Sequence, residues 1–216
     1  LIDVAGVTRA IFVGTSMGGL MSMTMAYQRP ERVKAIILND IGPEADRAGI
    51  RRILRYVGRH APVTSWDEAV AQLRDTYMVA LPDRPRAFWE DRVRQSYREG
   101  ADGRPEMDMD LKIGDAIRSA MRIFPFLKLL RALRLVKQVR GVPIDAWDSF
   151  RAVKVPCMVM RGERSDILSE EIVERMQAVK PDLKVATIPG NGHSPYIEGP
   201  EMLGAIDTFL AKLDAS

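Results

Sequence analysis

The stretch from Arg9 to Asn39 constrains the fold more than any other part of the chain. Arg9-Ala10-Ile11-Phe12-Val13 is a short apolar run, rich in branched and aromatic residues and closed by Gly14. It is too short for a helix and reads as a buried strand. From Met17 to Gln28 the residues are small or Met- and Leu-rich, and Arg29-Pro30 stops them, which predicts a helix. Arg32 to Asn39 is a second buried strand. Strand, helix and strand within about 30 residues make a βαβ unit, which requires a parallel sheet covered by helices.

The same texture returns near the C-terminus. Val155 to Gly162 reads as a strand, with Pro156 near its start where a missing donor is tolerated. Ser169 is placed to cap a helix reaching about Val179, with Glu171 and Glu174 in its first turns. Lys184 to Pro189 is another strand, and Pro200 to Leu213 a final helix opened by proline. Between these parts, from Gly42 to Arg151, almost nothing reads as strand. Helices are predicted over Arg47–Arg59, Trp66–Ala80 with Ser65 as cap, Pro85–Arg98, and Ile113–Arg140 with a break at Pro125. A structureless connection of that length is suspect in a compact domain. The division is therefore an α/β core over 1–41 and 152–216, with an all-helical cap inserted over 42–151.

Composition narrows the function classes. With 216 residues, 46% of them apolar, the chain has material for one domain with a sizeable insertion. A net charge of +3 gives no argument for nucleic acid. No run of about 18 apolar residues exists, so no membrane span is predicted. The lone Cys157 excludes a disulfide within the chain and fits a reducing cytoplasm. Two histidines, His60 and His193, leave no basis for a multi-histidine metal site.

The turn between the first strand and helix is Gly14-Thr15-Ser16-Met17-Gly18-Gly19. A Gly-x-Ser-x-Gly pattern arises by chance in about one chain in fifteen of this length. Its place between a buried strand and a helix is what gives it meaning. A serine in so tight a turn needs small neighbours, Gly14 and Gly18, so that strand and helix can approach. The Met17 N–H then points where a tetrahedral oxyanion would form. A serine nucleophile needs a base. His193 lies in the glycine-rich loop Pro189-Gly190-Asn191-Gly192-His193-Ser194-Pro195, directly after a strand, where catalytic groups of parallel sheets gather. His60, among arginines at a helix end, reads as a solvated or packing histidine. For the acid that orients the base, Asp166 follows the Val155–Gly162 strand, giving the chain order Ser16, Asp166, His193. Glu163 and Asp40 are rivals, Asp40 because it ends the second strand within reach of the same histidine.

These three segments, with Glu198-Gly199-Pro200-Glu201 after the histidine loop, resemble the α/β-hydrolase family. Within it the chain is similar to esterases, lactonases and carbon–carbon bond hydrolases with a helical cap. The resemblance covers Val7–Pro43 and Ala152–Leu213 and implies a mostly parallel sheet with the cap inserted. It also implies that Ser16 attacks a carbonyl, His193 shuttles the proton, Asp166 holds the imidazole and Met17 N–H stabilises the oxyanion. Serine at position 16 argues against dehalogenases and epoxide hydrolases, which use aspartate there. The expected activity is cleavage of a carboxylic ester or lactone of a small apolar molecule. Carbon–carbon bond hydrolysis and non-catalytic ligand binding are the alternatives. No cofactor or metal, no nucleic-acid partner and no membrane contact are expected, and the sequence carries no sign of an oligomeric state. In this family about four strands precede the serine's strand and supply a second oxyanion donor. About 70–90 further residues ahead of Leu1 are therefore expected.

Two further features have a bland reading. The basic stretch Arg118–Arg140 reads as the solvated outer face of a cap helix, with Leu129, Leu133, Leu135 and Val139 on its apolar arc. Trp66, Trp89, Trp147 and Met107-Asp108-Met109 read as core, and Cys157 as packing.

Overall fold

A computed structural model describes residues 2–110, 112–139 and 141–214. The first unit is β1 (Ala10–Thr15), α1 (Met17–Gln28), a 3-10 turn (Pro30–Arg32) and β2 (Val33–Asn39). The second half of the core is β7 (Cys157–Gly162), α7 (Glu170–Val179), β8 (Lys184–Ile188) and α8 (Pro200–Asp214). The four strands form one parallel sheet in the order β1-β2-β7-β8. Thus β2 and β7, separated by more than a hundred residues in sequence, lie side by side, with Asn39 opposite Met160.

Period-2 alternation divides the core into two layers. Ile36 and Leu38 of β2, with Cys157 and Val159 of β7, face one way. They pack on Met23 and Ala26 of α1 and on Ile172, Val173 and Met176 of α7. Ala35 and Ile37, with Met158 and Met160, face the other way against Met202 and Phe209 of α8. Strands covered on both faces read as continuous apolar runs, which is why both were legible.

The inserted segment holds α2 (Arg47–Tyr56), α3 (Trp66–Tyr77), α4 (Arg86–Ser96) and α5 (Lys112–Ala132). It is not all-helical. Two antiparallel ribbons interrupt it, β3 (Tyr97–Glu99) with β4 (Pro105–Met107), and β5 (Gln138–Val139) with β6 (Val142–Pro143). The first is closed by a turn in which Gly103 adopts φ 75°. The last helix of the stretch, α6 (Ala146–Arg151), belongs to the core, since Phe150 is fully buried in the α1–α7 layer. Ser65 caps α3 by accepting the Glu68 N–H at 3.2 Å. Trp89 is buried in a small cluster with Ala80 and Leu81, as a core residue of this segment.

Pro125 does not break α5, which runs through it to Ala132. The proline lacks the N–H that would bond the Met121 carbonyl, but this stretch is exposed and water can satisfy the freed group. The helix expected to reach Arg140 ends at Ala132, so Leu133, Leu135 and Val139 lie beyond it and form no helical arc with Leu129, although all four are exposed. Arg118 donates to the Val57 carbonyl and pairs with Asp115, and Arg131 pairs with Asp148. Arg140, at the end of the basic stretch, and Leu1 lie outside the described residues. No described helix is long and apolar enough to cross a membrane.

Candidate active site

β1 hands over to α1 at Ser16, whose backbone adopts φ 49°, ψ −114°. A serine in the left-handed region is uncommon, and such strain persists only where surrounding contacts hold it. Here the Ser16 N–H donates to the Asn39 carbonyl at 3.1 Å, and the Ser16 carbonyl accepts from Gly19 N at 2.9 Å. Gly14 is sterically required, because a Cβ there would stand 2.5 Å from Gly19 N and overlap the Gly18 carbonyl. The second tight position is Gly19, not Gly18. A Cβ on Gly19 would strike Ile41, whereas one on Gly18 would meet nothing within 4 Å. What Gly14 needs from position 18 is its backbone, so the steric demand falls one residue later than the motif suggests. Met17 opens α1, where the first N–H groups have no intrahelical acceptor and remain available to an anion.

The loop after β8 brings His193 to this turn. Its Nε2 lies 3.2 Å from Ser16 Oγ, and the residue is 7% exposed. On the other side of the ring, Nδ1 lies 2.8 Å from Oδ2 of Asp40. Asp40 is fully buried and follows β2 directly, with φ 54°. Its carboxylate is well supplied with donors: Oδ1 accepts Gly162 N–H at 2.8 Å, and Oδ2 accepts the Ser165 hydroxyl at 2.6 Å. Two of the four non-glycine residues with positive φ among the described residues are thus Ser16 and Asp40, at opposite ends of one hydrogen-bonded chain.

Asp166 is not the acid that touches His193. Both its oxygens are taken by Arg52 of α2, Oδ2 by Nε at 2.6 Å and Oδ1 by Nη2 at 2.7 Å. This hydrogen bond holds the Asp166 carboxyl below its ordinary range against the opposing effect of burial, and raises Arg52 in turn. The expectation from chain order failed because β2 and β7 are sheet neighbours. Their C-terminal ends deliver Asp40 and Asp166 to the same region, and a bidentate arginine claims one of them. Glu163, the other rival, accepts Gly190 N–H at 2.7 Å and braces the histidine loop from below.

The inserted segment grips the same loop. Gly192 N–H donates to the Ala80 carbonyl at 2.6 Å, and Arg84 donates to Asn191 at 3.1 Å. Phe88 of α4 meets Tyr196 edge-on at 5.2 Å between ring centroids. Sequence reasoning missed Asn39, Ser165 and Arg52. The buried Asn39 side chain donates to Thr15 Oγ1 at 3.1 Å and to the Pro195 carbonyl at 3.0 Å, tying the strand before Ser16 to the loop after His193. A polar Asn-Asp pair directly after the buried apolar run Ala35–Leu38 was the available signal. His60 lies in the connection after α2, and burial lowers its ring from the ordinary range. Burial pushes the Cys157 thiol up to about 12, which fits an inert packing role. Among the described residues, no group of three or more His, Cys, Asp or Glu side chains could hold a metal ion.

Several known proteins are similar to this chain. A 3-hydroxybutyrate-oligomer hydrolase of Cupriavidus necator is 25% identical over 210 residues, covering 97% of this chain and 68% of that protein. A 2-(acetamidomethylene)succinate hydrolase of Mesorhizobium japonicum is 25% identical over 217 residues, covering 96% of this chain and 68% of its own length. Among solved structures, an alpha/beta hydrolase from Novosphingobium aromaticivorans is 30% identical with a TM-score of 0.77, over 98% of this chain and 68% of that one. The sheet order, the strained serine turn and a match to the alpha/beta hydrolase family across residues 1–205 agree, and the chain belongs to that family.

Proposed function

We propose that the protein is a serine hydrolase that cleaves a carboxylic ester or lactone of a small apolar molecule through Ser16, His193 and Asp40. The observation that carries this reading is the His193 ring, bridging Ser16 Oγ at 3.2 Å and the buried Asp40 carboxylate at 2.8 Å. In the proposed reaction His193 Nε2 removes the Ser16 proton as Oγ attacks the carbonyl carbon. Asp40 accepts the Nδ1 proton's hydrogen bond throughout, which fixes the tautomer and stabilises the imidazolium that forms. The oxyanion develops against the Met17 N–H at the start of α1. His193 then returns the proton to the leaving alkoxide, leaving an acyl-serine. Water, deprotonated by the same ring, attacks that acyl group, and His193 passes the proton to the departing Ser16 Oγ as the acid is released.

The Cupriavidus necator relative supports an ester substrate, because oligomers of a hydroxy acid are joined through ester bonds. The test is turnover of short p-nitrophenyl esters and simple lactones by the complete protein, beside a vinylogous 1,5-diketone as carbon–carbon substrate. Ester or lactone cleavage at kcat/KM in the usual enzyme range, on the order of 10⁴ M⁻¹s⁻¹ or more, is expected. Cleavage of the diketone with no ester or lactone turnover would replace this reading with carbon–carbon hydrolysis.

A further inference from the structure

The donor that shares Asp40 Oδ2 with His193 comes from a residue with no place in the serine–histidine–acid scheme. Ser165 sits in the loop after β7, between Gly162, whose N–H holds the other Asp40 oxygen, and Asp166, which Arg52 clamps from α2. A serine hydroxyl has one proton to give and two lone pairs to receive. Both accepting positions of Ser165 Oγ are used within its own loop, by Ile167 N–H at 3.2 Å and Leu168 N–H at 3.0 Å. The remaining direction is the proton's, and it leads to Asp40 Oδ2 at 2.6 Å. The hydroxyl is therefore not a free rotor.

We propose that Ser165 is a positioning residue for the acid: its hydroxyl holds the Asp40 carboxylate with Oδ2 toward His193, and the Arg52–Asp166 pair keeps its loop seated against the inserted segment. This inference rests on the reading of Ser16, His193 and Asp40 given above. It deepens that reading by adding a connection between the cap helix α2 and the histidine. Gly49 of α2 packs so closely on the Asp166 backbone that no side chain fits between them, and Asp46 N–H donates to the Ile167 carbonyl at 2.9 Å. The loop that carries Ser165 is thus fixed at both of its working residues, one toward the acid and one toward α2.

Removal of the hydroxyl has two separable consequences. The carboxylate loses one of its orienting bonds, so fewer encounters find the ring in the productive tautomer and orientation. The negative charge on Oδ2 is also less compensated, so it favours the protonated imidazole more and the acid limb of the pH profile moves up. The charged groups bearing on this ring are Asp40 from the end of β2 and Asp166 from the loop after β7, the latter with its charge paired to Arg52 of α2. A change at Ser165 leaves the Asp166–Arg52 pair in place, so a shift in the profile reports on Asp40.

The experiment compares pH profiles of kcat/KM for ester hydrolysis by wild type, Ser165→Ala and Ser165→Thr in the complete protein, with Tm measured alongside. Ser165→Ala is expected to lose about tenfold in kcat, and its acid limb to move up by roughly half a pH unit, the size of one modest interaction. Ser165→Thr, which keeps the hydroxyl, is expected to recover the wild-type limb. Should Ser165→Ala fail to fold, Ser165→Cys keeps a weak donor of similar size, and an acid limb displaced in the same direction supports the proposal. A Ser165→Ala or Ser165→Cys profile that coincides with wild type overturns it. So does a loss of activity in Ser165→Ala without movement of the acid limb and without recovery in Ser165→Thr, which marks a merely structural role. In each of those cases an active wild type leaves the Ser16 reading standing. If Ser16→Ala is as active as wild type, that reading falls and this inference with it.

Discussion

Asp40→Asn should lower kcat for ester hydrolysis by about four orders of magnitude, whereas Asp166→Asn should lower it by less than about tenfold. The first figure follows from the tautomer, since an acid-to-amide change in such a site leaves the geometry in place but presents the wrong hydrogen. Asp40 offers three donors an acceptor: Gly162 N–H, the Ser165 hydroxyl and the His193 ring. An asparagine can present oxygen on only one side. If its oxygen stays with Gly162, its NH₂ faces His193 Nδ1 and forces the proton onto Nε2, where it blocks removal of the Ser16 proton. If it flips, Gly162 N–H meets the NH₂ and a buried donor is left without an acceptor. Asp166→Asn, by contrast, replaces one charged hydrogen-bond partner of Arg52 with a neutral one and touches no ring. Steady-state kinetics of the two variants, with Tm as a check on folding, separates the two acids. A larger loss in Asp166→Asn than in Asp40→Asn would return the acid role to position 166.

His193→Ala carries the largest expected loss, about a millionfold in kcat, because removing the base disables a unit whose members act together. The variant is expected to fold. The histidine loop is held by backbone and neighbouring side chains, through Gly192 N–H on the Ala80 carbonyl, Asn39 on the Pro195 carbonyl and Glu163 on Gly190 N–H. Residual turnover of about 10³–10⁴ over water should remain from oxyanion stabilisation and binding alone. Activity within tenfold of wild type in a folded His193→Ala protein would remove the histidine from the mechanism.

The middle of the sheet was legible because its two central strands are buried on both faces. Ile36 to Leu38 and Met158 to Met160 form fully buried apolar runs, whereas Ile11 to Val13 of β1 is apolar but only partly buried, with Val13 exposed. That Ser16 and His193 come together was legible for a topological reason, as both follow strands of one parallel sheet and must emerge at the same edge. Which aspartate meets the His193 ring was not legible on the same grounds. Asp40 and Asp166 satisfy that rule equally, and what separates them is Arg52, whose reach across to position 166 depends on how α2 packs. The short ribbon Tyr97–Glu99 with Pro105–Met107 escaped notice because three residues are too few to display a period. Pro125 was misread for want of a fact only packing supplies, namely that the helix around it faces solvent. Gly18 was weighted over Gly19 because a motif records which residues recur, while the contact is made by the Gly18 backbone and the Gly19 α-carbon.

The central claim is that Ser16 is a nucleophile activated by His193. Labelling of the complete, folded protein with a fluorophosphonate probe, followed by mass spectrometry of its peptides, addresses it most directly. One adduct is expected, on Ser16, lost in Ser16→Ala and formed far more slowly in His193→Ala. No adduct on Ser16 of the folded protein, or labelling that persists undiminished in Ser16→Ala, would contradict it.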